Sequence, residues 1–341
     1  MTMRHLCTLL WLAASTCAAA PVGGDVHASP PTLGDPVHLT IHSPADFAAA
    51  TAAMATLAWG DAPGDARLDV SIAAGDYAGR SLQLKQDPNA KHPVTLVVHG
   101  EGRARVASLA LDLEAASVTV ADLVFDSAPT TYALKVRTPG QTNLARLAFL
   151  DQVVGAKAGP ATGGVVLLEA SSAAATATLT DCAFVGGSAR RPVPMVTLAA
   201  QPASMFARID LVRAVFADAE FPTLISLAAA QQLTLEDSVV VLRPGTRLVR
   251  AEAPWAQLVL RSVTVVADGP DQVLERSGAT APPYEASSVR VAWRKGGEMP
   301  AGAASVTLSD DALTQAVAGL REALRSGPID PAAFQASAKL R

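Results

Sequence analysis

Aromatic residues make up only 4% of the 341-residue chain and charged residues 17%, although half of it is hydrophobic. A large core can therefore be buried, but aliphatic side chains must fill it, and wholesale disorder is excluded. There is no basic excess: the formal charge is −4, which argues against an electrostatically driven nucleic-acid binder. All six histidines lie at or before His99, so no Ser-His-Asp or Cys-His set can be assembled from the later part of the chain alone. Lysine occurs only at 85, 91, 135, 157, 295 and 339, and asparagine only at 89 and 143. Beyond the N-terminal leader, no apolar run reaches the ~18 residues that a membrane span needs.

The leader has Arg4 and His5, then the apolar run from Leu6 to Ala14, then small residues through Ala20. This three-part layout reads as a signal peptide over residues 1–19, cut before Pro21 can interfere, and it predicts a periplasmic or secreted protein. Cys17 offers lipid anchoring as the weaker reading, because Ala14-Ser15-Thr16 is a poor lipobox. With Cys7 and Cys17 in the leader, Cys182 stands alone and no intrachain disulfide can form.

Glycine (24) and proline (23) are plentiful and point to many turns. Between them one pattern recurs: apolar, any, apolar, any, turn residue, apolar, any, large apolar. Anchored on its last residue, it falls at Phe125, Phe149, Phe184, Phe216, Val240 and Val265, at steps of 24, 35, 32, 24 and 25 residues. Short strands at such spacing define a coiled β-solenoid, in which each rung buries its apolar side only against its neighbours. A second inward column holds Val120, Leu144, Leu179, Leu211, Leu235 and Leu260. A third holds Leu123, Leu147, Cys182, Ala214, Ser238 and Val263, which makes Cys182 a small core hydrophobe. The bend column alternates in sign as Asp122, Arg146, Asp181, Arg213 and Asp237, ending in Ser262. Rungs ~4.8 Å apart would pair these charges as a structural ladder.

Each coil has a further strand, at 133–137, 165–170, 195–200, 224–229, 247–252 and 272–275, which gives a three-sided solenoid. The two long steps place side loops at 155–164 and 186–194. Ser43-Pro44 followed by the alanine-rich stretch from Ala45 to Trp59 predicts a capping helix over the first rung. Leu313, Val317, Leu320 and Leu324 form the stripe of a C-terminal helix, with a second short one after Asp330-Pro331; these either cap the last rung or pack along a side. The expected organisation is a signal peptide (1–19), an N-terminal segment (20–42), the capped solenoid (43–300) and a helical tail (301–341), an all-β fold with helices at its ends.

Several segments carry a family resemblance: the capping helix, Pro63-Gly64-Asp65, the run from Ile72 through Gly75-Asp76-Tyr77 to Gly79, His92-Pro93 up to Leu96, Gly100-Glu101-Gly102, and Val118 to Phe125. Together they resemble right-handed parallel β-helix proteins of the pectin-lyase-like class, above all the alginate lyase and chondroitinase B family. That resemblance implies a right-handed β-helix and cleavage of acidic polysaccharides by β-elimination. It further implies a lysine base, an arginine and a calcium site on the strand face late in the solenoid. The chain departs from this pattern: residues 158–294 contain no lysine, and the scarcity of asparagine removes both an asparagine ladder and the usual amide metal ligand. No catalytic residue is carried over.

Other chemistries find little. His38 and His42 lie four apart on a strand, without a completing carboxylate for zinc; Gly100-Glu101-Gly102 lacks the strand-to-helix context of a phosphate loop; Glu236 and Asp237 point opposite ways. What remains is a surface. Outward positions of the second strand type offer Lys135, Arg137, Glu169, Thr197, Ser226, Arg250 and Glu252, with Arg190 and Arg191 on the nearby loop. Forked guanidinium donors suit uronate carboxylates. Tyr132 and Trp255 are the aromatic candidates near strand ends. The expected binding set is Lys135, Arg137, Glu169, Arg190, Arg191 and Arg250. The expected function is an exported, non-catalytic β-helix that binds an acidic polysaccharide or assists cell-surface polymer assembly, without a cofactor and with an envelope protein as a further partner. The alternative is a divergent polyuronate lyase or epimerase with Lys135 or an arginine as base; calcium belongs to that alternative only.

Overall fold

The structure is a computed structural model, and it describes residues 37–56, 66–85, 94–113, 117–126, 131–155, 158, 163–200, 205–251, 256–276, 284–298, 303–307, 309–326 and 331–338. The leader, Trp255 and Glu252 lie outside the described residues.

The chain coils into a three-sided parallel β-helix. On face A, strands stack in register from Val37–Ile41 through Ala66–Ile72 and onward to Tyr284–Ser287, ten strands deep among the described residues. Face B carries the short strands Ala148–Leu150, Ala183–Val185, Val215–Ala217, Val239–Val241, Thr264–Ala267 and Arg290–Trp293. Face C carries Leu134–Thr138, Val166–Ala170, Val196–Ala200, Thr223–Leu227, Arg247–Ala251 and Leu274–Arg276. Near the start one continuous strand, Val94–Asp112, bends through all three faces. Two additions flank the repeat: Val37–Ile41 already belongs to face A, and Ala304–Ser305 adds to face B after Arg290–Trp293.

The three inward columns form as the pattern requires. Val120, Leu144, Leu179, Leu211, Leu235 and Leu260 are register partners and all buried. Phe125, Phe149, Phe184 and Phe216 stack with ring centroids 4.8, 4.8 and 4.6 Å apart and nearly parallel planes, a spacing imposed by the strand ladder itself. Between faces A and B, each bend residue from Asp122 to Ser262 takes a positive φ, between 48° and 60°, and Ser288 continues the series at 53°. This left-handed turn lets the chain change face within one residue. The alternating charges pair as the ladder predicts: Arg146 reaches Asp122 with two 2.6 Å contacts, and Arg213 reaches Asp181 at 2.7 and 2.8 Å. These hydrogen bonds to aspartate are the main reason both guanidinium groups are held above their ordinary pKa.

Helix α1, Asp46–Thr56, packs Phe47 and Ala50 into the first coil, with the Phe47 and Tyr77 rings 5.3 Å apart. It starts at Asp46 because that carboxylate reaches back to accept the backbone N–H groups of His42 (2.8 Å) and Ser43 (2.7 Å). Burial works against the ionised form of Asp46, but these bonds outweigh it and hold the carboxyl below its ordinary pKa.

At the other end the helices settle along a side rather than over the last rung. Helices α2 (Asp310–Ser326) and α3 (Pro331–Ser337) cover the outer surface of face B. Strand residues there are buried on both sides: Phe184 faces the core, while Ala183 and Val185 join a second cluster with Val215, Ala217, Val239, Leu313, Val317, Leu320 and Phe334. Arg321 fixes the register, since its Nη2 bonds Asp151 (3.2 Å) and Asp218 (2.7 Å), which sit at the corner after face B two rungs apart. Gly186 occupies the rung between, where a Cβ would lie 2.0 Å from Asp151 Oδ1 and 2.6 Å from Arg321 Nη2. Arg321→Ala is expected to release the tail locally: amide exchange within 310–338 should rise about tenfold while the strand amides keep their protection, the response of a part-exposed ion pair lost from a local opening unit.

Candidate functional site

The outward surface of face C was the expected binding surface, and the structure divides it. Lys135, Arg137 and Glu169 do come together. Glu169 is the register partner of Arg137, and Lys135 Nζ stands 3.7 Å from Glu169 Oε2, while Arg137 Nη1 lies 3.1 Å from Asp112 Oδ1. Both cations are already matched by carboxylates of neighbouring rungs and about three-quarters buried.

In the middle of the face, the outward positions are covered. Leu167, Thr197 and Ser226 follow Lys135 in register and are all buried. Thr197 Oγ1 donates to Gly163 O at 2.7 Å, so the end of the 155–164 loop lies against the strands. Gly164 is packed there as well, with Pro194 O and Thr197 Oγ1 each 3.0 Å from where its Cβ would be. Arg250 follows Ser226 in register and is exposed, four rungs and ~19 Å along the axis from Lys135. The two ends of the predicted surface therefore cannot grip one sugar residue.

Arg190 and Arg191 sit where the 186–194 loop turns the corner toward face C. A small ladder sets this corner: Ser188–Ala189 pairs with Val153–Val154, and Arg190 N–H donates to Val154 O at 3.0 Å. Both arginines are exposed, and among the described residues neither has an ion-pair partner.

Glu236 and Asp237 do not converge on one point. Glu236 ends a strand of face A while Asp237 is the left-handed bend residue. Among the described residues no three His, Cys, Asp or Glu side chains lie together as a metal ion would need, so they do not fit the calcium site that the family resemblance implies. His38 Nδ1 lies 3.5 Å from Asp69 instead. Cys182 is wholly buried and burial pushes its thiol up to about 12. Protein prepared without residues 1–19, which hold Cys7 and Cys17, should therefore give no reaction with a thiol-specific disulfide reagent at pH 8 and one equivalent of thiol in denaturant; rapid labelling of that folded chain would contradict the core assignment.

One feature went unread in the sequence, a cleft of ≈ 360 Å³ at the corner between faces B and C of the last rungs, around Gly245, Asp268 and Lys295. Its signal was the recurrence of turn residues after successive face B strands: Pro244-Gly245, Gly269-Pro270 and Gly296-Gly297.

Fold and surface together define a parallel β-helix with a side-packed helical tail and a paired-charge face. No protein-family model, curated protein or solved structure matches the chain. No described helix is long and apolar enough to cross a membrane.

Proposed function

We propose that this chain is an exported, pectin-lyase-like β-helix protein that binds an acidic polysaccharide, or assists assembly of a cell-surface polymer, without cleaving it. The observation that carries this reading is the exposed Arg190-Arg191 pair on a corner loop that the strand ladder holds in place, with no carboxylate partner among the described residues. The ladder holds the backbone that carries them, and their two guanidinium groups offer forked donors to carboxylates of a uronate chain. Lys135, Arg137 and Glu169 contribute a balanced charged rim, and Arg250 a separate exposed cation along the axis. An envelope protein partner accords with the same export reading.

The double variant Arg190→Ala, Arg191→Ala is expected to lose about tenfold or more in retention on immobilised polygalacturonate, with melting temperature unchanged. Unaltered retention would remove this loop from the binding surface.

The polyuronate lyase or epimerase reading draws on the resemblance of residues 43–125. It requires a base, and the described lysine on face C, Lys135, directs its ammonium at Glu169.

A further inference from the structure

The corner cleft is built from three successive rungs. After the face B strands Val239–Val241, Thr264–Ala267 and Arg290–Trp293, the chain turns through 242–246, 268–273 and 294–297. Gly245 and Gly296 both adopt φ 81°, a region that favours glycine, and a Cβ at either would meet nothing within 4 Å. The wall there is bare backbone. Gly297 is different: its Cβ would sit 2.6 Å from Pro270 Cδ, so the last corner packs onto the middle one. The middle corner is braced by buried Gln272, whose Oε1 accepts the Asp268 N–H at 2.6 Å and whose Nε2 donates to Arg243 O at 3.1 Å. A cleft of ≈ 360 Å³ is left, within the size range of small-ligand sites.

Arg247 borders the middle corner from the rung before and Lys295 from the rung after, two rungs or ~10 Å apart along the axis. Each is anchored by one carboxylate. Lys295 Nζ is 2.7 Å from Asp268 Oδ2, and Arg247 Nη1 is 3.5 Å from Glu275 Oε2. Neither is used up by that contact, since an ammonium has three donors and a guanidinium five, and both side chains remain well exposed. Asp268 is itself nearly covered and also lies 3.8 Å from Arg294, so its charge is turned inward to the cations. Exposed Asp271 adds an acceptor at the rim.

Two anchored cations with spare donors, an acceptor and a bare glycine wall match a sugar acid: a carboxylate to hold, hydroxyls to satisfy and a ring that approaches the backbone closely. We infer that this cleft is a uronate subsite, the carboxylate taken by Lys295 and Arg247 and ring hydroxyls by Asp271. The inference rests on the acidic-polysaccharide reading and adds to it a site on the same corner of the coil as the 186–194 loop but starting two rungs further along, with Arg247 three residues before Arg250 on its strand.

Tetragalacturonate titrated into the full ¹⁵N-labelled chain tests it, with galactose as the uncharged control. Saturable shifts of the Gly245, Gly269 and Gly296 amides are expected with the acid and not with galactose. Arg247→Ala with Lys295→Ala should weaken them at least about tenfold, while Arg190→Ala with Arg191→Ala leaves them in place. Both substituted residues are surface-exposed, and Lys295→Arg, which keeps a cation, should retain binding. Retention of polygalacturonate with no shift at these glycines, or equal binding by the double variant, overturns the cleft and leaves the general reading standing. No retention of any polyuronate removes both.

Discussion

Phe184→Ala should destabilise the protein by about 3–5 kcal/mol, the largest effect expected of any single truncation in the core. Phe184 is wholly buried and stacks on two rings, Phe149 at 4.8 Å and Phe216 at 4.6 Å, so its loss leaves a cavity in the middle of the phenylalanine ladder. The surroundings cannot collapse to fill it. The strand Ala183–Val185 is pinned on both sides by register pairing, and its outer surface is already packed against the helical tail. In a solenoid the stability is carried by contacts between adjacent rungs, so a defect at the centre weakens two interfaces at once. The equivalent change at Val265, where no ring is stacked, should cost about half as much. Urea unfolding followed by far-ultraviolet circular dichroism checks both; equal losses at the two sites would show that the ring stack contributes little.

Gly100→Ala is expected to cost about 3 kcal/mol for a different reason. The added Cβ would sit 2.3 Å from the carbonyl oxygen of Asp122 and 3.0 Å from Leu123 Cδ2. The obstacle is backbone, and that backbone is the left-handed bend of the next rung, with Asp122 at φ 60°. Relief requires the bend to move, and with it the bidentate Asp122–Arg146 contact. Overpacking of this kind falls at or above the upper end of the usual 1–3 kcal/mol. Gly245→Ala makes the control for steric crowding: no atom lies within 4 Å of its Cβ position, leaving only the conformational cost of φ 81°, about 1–2 kcal/mol. A melting temperature for Gly100→Ala as high as that for Gly245→Ala would mean that the rung spacing is looser than the ladder implies.

The repeat was legible because a strand's period of two makes inward residues recur at fixed offsets, and every rung must present the same columns to its neighbours. Leu144 and Leu179 had to be partners once Phe149 and Phe184 were. The bend ladder followed from the same offset, with Asp181 placed beside Arg213. Tail placement was not legible. The stripe through Leu313, Val317 and Leu320 says that one helix face is buried but not against what, although the unbroken apolar runs 148–150, 183–185 and 239–241 were a signal that face B needed cover on its outside. Face C misled for a related reason. An outward position such as Thr197 is solvent-facing by alternation alone, and only the path of a distant loop, bringing Gly163 O within 2.7 Å, decides that it is buried. Likewise the pairing of Lys135 with Glu169 depends on register across a 32-residue step, which no local pattern contains.

The most direct test of the functional account is to incubate the protein with a panel of polyuronates, with and without calcium, and to follow both ultraviolet absorbance and co-sedimentation. β-Elimination leaves a conjugated double bond that absorbs, whereas binding alone does not. The account predicts a flat absorbance trace together with co-sedimentation on at least one polyuronate. A steady rise in absorbance with any of them would make the protein a lyase, and absence of both signals would contradict acidic-polysaccharide binding itself.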